Sequence, residues 1–401
     1  MLAPGRSSMG VLRDRCYEVA KLIGKMSMQV VICGAGVIGA AAAYELSRRG
    51  IAVTVIERWR VAGAASGKSG GFLARDWCRG TPVAVLAERS FDLHAAWARD
   101  LGDRYGYRRV DTFAVAVSDR RKLGRAQRAN VAGWLAADVS HRRRIGSRDT
   151  TAQIDPEAFT RTLIEAATSR GARLFIGTVA GLRTSRDGRR AEGVTLEDGR
   201  DLAADAVIIA MGPWSVLAAH WLPMPAVYGL KGHSIVFRPE AMLPSETVFA
   251  DFEDADGETY APEIVPRADG TLYVCGLSSS APLPRDPANV NPEPGGCEKL
   301  GAISLRLVPL LGSAKVLASQ ACHRPITADG IPLIGPVPQV AGAFIATGHS
   351  VWGMLNAPGT AEALGELIVD GRTRHVHIAA FSPSRLPALA PNALSIASNQ
   401  A

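Results

Sequence analysis

The chain has 401 residues, of which 47% are hydrophobic and 21% are charged. These values are typical of a globular protein with a large buried core, and the length suits two domains rather than one. The formal net charge is +7, but the basic residues are scattered and lack interleaved aromatic residues. The charge therefore disfavours nucleic-acid binding and favours an anionic substrate or cofactor.

The cysteine and histidine patterns argue against two common kinds of site. The six cysteines contain no CxxC pair and the eight histidines contain no HExxH pattern, so we expect neither a disulfide framework nor a metal site. This cysteine usage fits a reducing compartment, and we expect the cytoplasm. We interpret His375 and His377, near the C-terminus, as a solvated surface pair.

Residues 1–27 form a mildly basic N-terminal extension without a long apolar stretch. That composition disfavours a secretory signal peptide. A leader and a wrongly assigned start are the two interpretations left open, because Met26 and Met28 directly precede the first predicted strand.

The most strongly patterned segment, QVVICGAGVIGAAAAYELSRRGIAVTVIE, covers residues 29–57. It predicts a buried strand at 30–32, a glycine turn and a helix from Val37 to Arg49. In a G-x-G-x-x-G turn, the first glycine permits the tight bend, the second admits a pyrophosphate and the third lets the helix pack on the strand. The amides at the helix N-terminus then face the phosphate. The candidate contacts are Gly34, Gly36, Val37, Ile38 and Gly39.

A second strand is predicted over Ile51–Ile56, and Glu57 follows it directly. A carboxylate at the end of this strand is placed to accept hydrogen bonds from the ribose hydroxyls of an adenosine. An acid here favours a dinucleotide without a 2′-phosphate, although Arg58 comes next and is a further candidate contact.

The segment AGAASGKSGGFLA, residues 62–74, consists almost entirely of small residues. A nicotinamide enzyme usually continues to a helix and a third strand, whereas this segment predicts a loop laid along an extended ligand. A flexible linker is the alternative. The candidate contacts in the loop are Ala65, Ser66, Gly67, Lys68, Gly70, Gly71 and Phe72.

Two later segments complete an α/β pattern. In residues 154–182, Asp155 is a predicted helix N-cap, Pro156 fits the first helical position, and a strand follows Gly171. Residues 206–230 contain no charged residue, but their prolines favour a buried strand, turn and helix over a membrane span. We therefore expect no transmembrane segment.

These motifs resemble those of the FAD-dependent oxidoreductase family that contains D-amino-acid oxidase, glycine oxidase, D-amino-acid dehydrogenase and sarcosine oxidase. The resemblance rests on the segments above and on ADAVIIAMGPWS (204–215), RPITADGIPLIG (324–335) and ATGHSVWGMLNAPGTAEAL (346–364). It implies an α/β fold in which a Rossmann-like FAD-binding domain is interleaved with a substrate domain built on a mixed, mostly antiparallel sheet.

The resemblance also implies discontinuous domains. We assign residues 28–104, 150–221 and 319–371 to the FAD-binding domain, and residues 105–149 and 222–318 to the substrate domain. The tail, 372–401, is rich in proline, alanine and serine, and we expect it to be poorly ordered.

Within the family, FAD contacts extend well beyond the first motif. The matching positions here are Val179 near the adenine and, near the flavin, Ala210, Gly212, Trp214, Cys322, Ile331, Gly348, His349, Trp352, Gly353 and Met354. Cys322 matches the residue that carries the flavin covalently in the sarcosine oxidase branch, but the His-Arg-Pro that follows departs from that branch. A small buried residue is therefore the alternative interpretation of Cys322.

Arg324 matches the arginine that binds the substrate carboxylate in enzymes similar to glycine oxidase. A planar guanidinium binds a carboxylate through two parallel hydrogen bonds, although a structural salt bridge is the alternative. Lys231 and His349 are further catalytic candidates that could tune or gate oxygen reactivity. A structural ion pair is the alternative for Lys231, and a position in the core is the alternative for His349 and Trp352. Tyr228, Tyr260 and Tyr273 are equivalent candidates for a hydrogen bond to the substrate.

The implied activity is oxidation of the C–N bond of a small amino acid or N-substituted amino acid, with O2 or another electron acceptor. Oxidation of a 2-hydroxy acid is the alternative within the enzyme class. An FAD-binding assembly or trafficking factor with little turnover is the alternative from another class. The sequence contains no second G-x-G-x-x-G of the kind that a nicotinamide-linked reductase needs.

Overall fold

The structure of the chain is a computed structural model that describes residues 28–120 and 133–390. The N-terminal extension, 1–27, and the end of the tail, 391–401, lie outside the described residues. The strands are β1 (Gln29–Cys33), β2 (Ala52–Glu57), β3 (Phe72–Ala74), β4 (Arg108–Arg109), β5 (Asp111–Ser118), β6 (Ser140–Gly146), β7 (Thr151–Gln153), β8 (Arg173–Ile176), β9 (Val179–Thr184), β10 (Ala191–Leu196), β11 (Asp201–Ala203), β12 (Ala206–Ile209), β13 (Tyr228–Arg238), β14 (Glu246–Glu253), β15 (Thr259–Tyr260), β16 (Glu263–Pro266), β17 (Leu272–Ser279), β18 (Lys315–Ile326), β19 (Leu333–Pro336) and β20 (Ala343–Thr347). The α-helices are α1 (Val37–Arg48), α2 (Ala84–Leu101), α3 (Pro156–Thr168), α4 (Gly296–Leu307) and α5 (Gly353–Asp370). Short 3-10 helices cover Gly212–His220, Pro287–Asn289, Pro309–Ser313, Ser350–Trp352, Ala379–Phe381 and Pro383–Arg385.

A six-stranded sheet forms one half of the molecule, in the order β19-β20-β12-β1-β2-β8. Its strands are parallel except β19, which runs antiparallel to β20. Helix α1 packs against α3 and α5, and its alanines, residues 40–43, are fully buried. Side chains this small let a helix approach its neighbours closely, which explains the alanine-rich sequence. The Rossmann-like half of the predicted fold is confirmed.

An eight-stranded sheet forms the other half, in the order β18-β13-β17-β16-β14-β5-β6, with β15 paired to β14. It is mostly antiparallel, with a parallel pair between β14 and β5. Helix α4 packs on it through Leu300, Ile303 and Leu307. The mixed, mostly antiparallel sheet is therefore as predicted.

Strand β18 crosses the domain boundary that the sequence places at residue 319. The strand is continuous over twelve residues and pairs with β13 from Lys315 to Ile326. The chain therefore returns to the six-stranded sheet only after Ile326, because β18 still belongs to the eight-stranded sheet up to that point. Two smaller sheets, β11-β10-β9 and β3-β7-β4, flank the main ones.

The expectation of a poorly ordered tail is wrong for residues 372–390. Phe381 is buried in the core of the six-stranded half, and the Leu389 amide donates to the Met224 carbonyl at 2.7 Å. Arg385 binds Asp329 in two places, Nε to Oδ2 at 2.7 Å and Nη2 to Oδ1 at 3.1 Å. A few anchoring side chains thus order a segment whose composition predicts disorder.

His375 is also more than a solvated surface residue. Its Nδ1 lies 2.5 Å from Glu366, and with Glu362 these side chains form the cluster that most resembles a metal site in the described part of the chain. Both carboxylates already have protein donors, since Arg89 binds Glu362 through two nitrogens and the Arg374 amide binds Glu366. The cluster is an ion-pair network at the end of α5.

Among the described residues, no helix has both the length and the apolar character that crossing a bilayer would require.

The Arg385–Asp329 pair generates a stability prediction. Arg385 holds the pKa of the Asp329 carboxyl down to about 2, so the pair stabilises the fold above the ordinary pKa of 3.8 and loses that effect as the pH falls towards 2. We expect Arg385→Met to lower the free energy of unfolding at pH 7 by about 1–2 kcal/mol. Urea unfolding at pH 7 and pH 3 measures the difference, which should shrink at pH 3.

Arg372→Met, at an exposed position in the same tail, is the matched control and should change little. An equal effect of the two substitutions would contradict the assigned role of Arg385.

Candidate functional site

A long cavity lies between the two halves of the molecule. The loops after β1, β12 and β20, the segment 62–71 and one face of the eight-stranded sheet line it. A second cavity continues from it past β2 and β9, and the two share Gly34, Glu57, Met211, Trp214 and Pro287 in their walls. Ligands of open parallel sheets bind beyond the carboxyl ends of the strands, and the cavities lie there.

The three motif glycines have different surroundings. Gly34 has φ +108°, and a Cβ there would lie 2.5 Å from the Ala210 carbonyl oxygen. A Cβ on Gly39 would lie 1.9 Å from the Gly34 carbonyl oxygen, so only glycine lets α1 sit this close to the turn. A Cβ on Gly36 would meet only the Ser66 hydroxyl, at 3.1 Å, and would otherwise enter the cavity. This open cradle fits a pyrophosphate group.

Glu57 sits where the two cavities meet. Its Oε2 accepts a hydrogen bond from the Ala35 amide at 2.8 Å, and its Oε1 accepts one from the Trp59 amide at 2.9 Å. Burial raises the pKa of this carboxyl, against the lowering effect of those amides. Each oxygen keeps a lone pair for a further donor, which suits the two hydroxyls of a ribose. Arg58 and Val179 line the second cavity beside it.

The segment 62–71 connects α1 to the eight-stranded sheet. On one side the Ser66 hydroxyl accepts a hydrogen bond from the Val37 amide at 2.8 Å. On the other side the Tyr273 hydroxyl donates to the Lys68 carbonyl at 3.0 Å, and Arg267 donates to the Ser69 carbonyl at 2.8 Å. The segment is thus an ordered wall of the cavity. This excludes the alternative interpretation of residues 62–74 as a flexible linker.

Lys68 points its ammonium across the cavity wall. Its Nζ donates to the Ala321 carbonyl at 3.0 Å, and burial lowers its pKa. The side chain therefore ties the segment to β18, in addition to lining the cavity.

His349 lies at the opposite wall, just before α5. It is buried, and its Nε2 is 3.1 Å from the Thr360 hydroxyl. Burial lowers its pKa to about 3, so the imidazole is neutral at physiological pH. Its Nδ1 has no partner among the described residues, which leaves a polar atom available at the cavity. Gly353 and Met354, at the start of α5, line the same wall.

Arg324 reaches into the cavity from β18. Its guanidinium lies over Gly232 of β13, where a Cβ would be 3.0 Å from Nη2, and Nη1 donates to the Ser278 hydroxyl at 3.0 Å. No carboxylate of the described residues lies within the 4.0 Å of an ion pair with it. The structural salt bridge that was the alternative is therefore absent from the described residues, although the Glu263 carboxylate is near enough for the two charges to interact.

Cys322, two residues earlier in β18, also lines the cavity. Burial raises the pKa of its thiol, and the charges of Arg324 and Lys68 lower it less. The thiol is therefore protonated at neutral pH. A covalent bond from Cys322 to the flavin stays a prediction.

Several of the sequence-predicted residues lie outside both cavities: Gly39, Gly67, Gly71, Phe72, Lys231, Ile331, Gly348 and Trp352. Lys231, a candidate for tuning oxygen reactivity, does not line the cavity, because it alternates with Gly232 along β13 and pairs with His323 on β18. Trp352 instead makes an edge contact with Trp77, within an aromatic cluster that includes Phe72 and Phe249. Ile331 packs against the core of the six-stranded half.

The remaining predicted residues line one of the two cavities. In the first cavity they are Gly34, Gly36, Val37, Ile38, Glu57, Ala65, Ser66, Lys68, Gly70, Ala210, Gly212, Trp214, Cys322, Arg324, His349, Gly353 and Met354. Of the three candidate tyrosines only Tyr273 lines a cavity, and Tyr228 is 52% exposed.

Sequence reasoning missed Glu263 and Cys275, which line the cavity from β16 and β17. The alternation in EIVP and LYVCG places Glu263, Tyr273 and Cys275 on one face. This alternation predicts which residues share a face, but nothing in those short strands indicates that the face lines the cavity.

Gly36 generates a binding prediction. We expect Gly36→Val to keep the fold, because its Cβ meets only one hydroxyl, but to weaken FAD affinity at least about tenfold by filling the cradle. Titration of the apoprotein with FAD, followed by flavin fluorescence, measures the affinity. Gly312→Val, at an exposed position with nothing within 4 Å, is the control and should bind FAD like the parent protein.

Comparison with known proteins agrees with this geometry. The family model described as DAO, FAD dependent oxidoreductase, matches residues 29–367. A putative oxidoreductase of Schizosaccharomyces pombe is 28% identical over 389 residues, covering 89% of this chain and 98% of that protein. A glycine oxidase of Geobacillus kaustophilus is 28% identical over 383 residues, covering 89% and 96%. The crystal structure of glycine oxidase from Geobacillus kaustophilus matches with a TM-score of 0.75 and 26% identity, over 90% of this chain and 99% of that one. The chain therefore belongs to the DAO family of FAD-dependent oxidoreductases.

Proposed function

We propose that this protein oxidises the C–N bond of a small amino acid or N-substituted amino acid and passes the electrons to O2 or another acceptor. The observation that carries the proposal is the Arg324 guanidinium, which lies in the cavity wall without an ion-pair partner among the described residues. A charge left in this state suits an anionic ligand, and a planar guanidinium suits a carboxylate. The relatives named glycine oxidase support the same substrate class.

The residues present fit FAD. The open cradle at Gly36 and the amides of α1 would hold the pyrophosphate, and Glu57 would hold the ribose of the adenosine. His349 and the first turn of α5 would lie against the flavin. When bound, FAD supplies the acceptor for a hydride from the α-carbon of the substrate.

The side chains of the eight-stranded sheet would position the substrate. Arg324 would bind the carboxylate and fix its orientation through two hydrogen bonds. Gly232 leaves the space that the guanidinium occupies, and Ser278 holds one of its nitrogens. His349, neutral because of its burial, does not compete for the carboxylate as a second cation.

We also infer that the protein works in the cytoplasm. The cysteines of the described residues are all free, four of them are buried, and disulfides are rare in reducing compartments.

The first prediction of this proposal concerns the substrate. Under anaerobic conditions we expect at least one of glycine, sarcosine, D-alanine and L-proline to bleach the visible absorption of the bound flavin, because each offers a carboxylate and an oxidisable C–N bond. Glycolate and D-lactate are the matched 2-hydroxy acids and should leave the flavin oxidised. Bleaching by these acids alone would replace the proposal with 2-hydroxy-acid oxidation, and no bleaching by either set would favour an assembly factor.

The second prediction concerns Arg324. We expect Arg324→Met to lower kcat/KM for the amino acid at least about 100-fold, or about 2.7 kcal/mol, mainly through KM. An amine without a carboxylate should lose little. Steady-state kinetics and the flavin content of each variant measure this. Arg238→Met, at the exposed end of β13, is the control and should leave kcat/KM within about twofold of the parent value.

A further inference from the structure

We propose that Glu263 binds the amino group of the substrate and accepts its proton, so that the cavity selects a zwitterion rather than a carboxylic acid. This inference rests on the proposed function and adds a second substrate-binding residue to Arg324.

Glu263 begins strand β16, in the middle of the eight-stranded sheet. It pairs in register with Cys275 of β17 and with Phe249 of β14, and residues paired in this way share one face of the sheet. That face lines the cavity, where Glu263, Cys275 and Arg324 are all wall residues. The carboxylate therefore faces the same space as the guanidinium, from a different strand.

The carboxylate of Glu263 lacks a cationic partner. No basic nitrogen of the described residues lies within 4.0 Å of it, and its protein partner is the Cys275 thiol, a weak donor. Arg324 is near enough for its charge to act on Glu263, yet the two do not form an ion pair. A carboxylate and a guanidinium that line one cavity without forming an ion pair match the ammonium and carboxylate groups of an amino acid, which are carried by neighbouring carbon atoms.

Burial makes Glu263 a stronger base than an ordinary carboxylate. Desolvation raises its pKa, and the opposing effects of Arg324 and of the Cys275 thiol are smaller. A raised pKa in a cavity next to a specific charge is characteristic of groups that exchange protons with a ligand. Strand β16 places the Glu263 carboxylate in the cavity wall, and desolvation increases its affinity for a proton.

Several other titratable groups that line the cavity are already hydrogen-bonded or are unsuited to accept a proton. The Tyr273 hydroxyl donates to the Lys68 carbonyl, and the Lys68 ammonium donates to Ala321. Burial raises the pKa of Cys275, and His349 is too weak a base because burial lowers its pKa to about 3. Phe249, the neighbour of Glu263 on β14, does not titrate. Among these groups Glu263 is the suitable proton acceptor.

The proposed step transfers one proton from the substrate to Glu263. An N–H bond of the substrate ammonium breaks, its proton moves to a Glu263 oxygen, and the electron pair of that bond stays on nitrogen as a lone pair. The lone pair would then form the C=N bond of an iminium ion as the α-carbon loses a hydride, for which bound FAD would supply the two-electron acceptor. Water would hydrolyse the iminium product. Without the proton acceptor, only the small fraction of amine that is already neutral in solution can react.

Ligand binding tests the proposal without turnover. α-Aminoisobutyrate has no α-hydrogen and cannot donate a hydride, and isobutyrate is the same acid without the amino group. At pH 7 we expect Glu263→Gln to weaken binding of α-aminoisobutyrate to the holoprotein at least tenfold and to leave isobutyrate unchanged or tighter. Calorimetric titration measures both. Equal effects on the two ligands, or none, would overturn the proposal. Glu240→Gln, at an exposed position after β13, is the matched control.

The pH dependence of flavin reduction separates proton transfer from a structural role. With the fastest amine of the panel, we expect Glu263→Gln to lower kcat/KM 10- to 100-fold at pH 7, and the rate to rise with pH to within about threefold of the parent at pH 9.5. A variant that is merely misfolded would not recover at high pH. A loss that is the same at both pH values would overturn the assignment of Glu263 as proton acceptor.

The two experiments also distinguish the proposals. If no amine reduces the flavin but α-aminoisobutyrate still depends on Glu263, the oxidation fails and amino-acid recognition by Glu263 stands. If an amine reduces the flavin and Glu263→Gln changes neither binding nor pH profile, the oxidation stands and Glu263 has no role in it.

Discussion

The rest of the site depends on the hydrogen bonds that hold the segment 62–71 between the two halves of the molecule. It is held by Ser66 at the N-terminus of α1 and by Tyr273 and Arg267 from the eight-stranded sheet. These contacts join backbone carbonyls and amides that would otherwise be buried without partners, which is costly. Small side chains are required because the segment is enclosed between two packed layers: a Cβ on Gly70 would lie 3.1 Å from the Tyr273 ring. Hydrogen bonds between side chains and backbone groups on both sides of the segment thus link the two halves.

Charge is distributed unevenly along the cavity, and this organises its chemistry. The end of the cavity at α1, which we propose for the pyrophosphate, offers backbone amides and the positive end of the helix dipole, whereas the part that we propose for the ribose offers the Glu57 carboxylate. The wall formed by the eight-stranded sheet carries the Arg324 guanidinium and the Glu263 carboxylate, together with the neutral side chains of Tyr273 and Cys275. Fixed dipoles and charges of this kind are effective because they need no reorganisation when the ligand binds.

The sequence predicts the β1-α1-β2 unit well because its determinants are local: β-branched strands, spaced glycines and a terminal acid lie within 29 residues. The half built on the eight-stranded sheet is harder to predict from the sequence. The face of the sheet on which each side chain lies depends there on the register between strands that are distant in the chain. Lys231 and Gly232 show this directly, since a shift of one residue moves a side chain to the other face. The resemblance to a known family placed Arg324 in the site, but no motif marks Glu263. The composition of the tail predicted poor order, which is wrong for residues 372–390. Phe381 and Arg385 order this segment although it is otherwise poor in core residues.

The continuity of β18 has a consequence for motion. This strand carries Arg324, pairs with β13 over its whole length and then leads through the turn at Asp329 into β19 of the other half. A hinge opening between the halves would leave that ladder intact, because both strands belong to the eight-stranded sheet, but it would have to break the hydrogen bonds from Lys68 to Ala321 and from Tyr273 to Lys68. The cavity reaches the surface beside the 3-10 helix Ser350–Trp352, where Val351 lines it and is 52% exposed. A ligand that enters on that side leaves the hydrogen bonds between the halves intact, and with them the distance between β18 and the loops after β1 and β12.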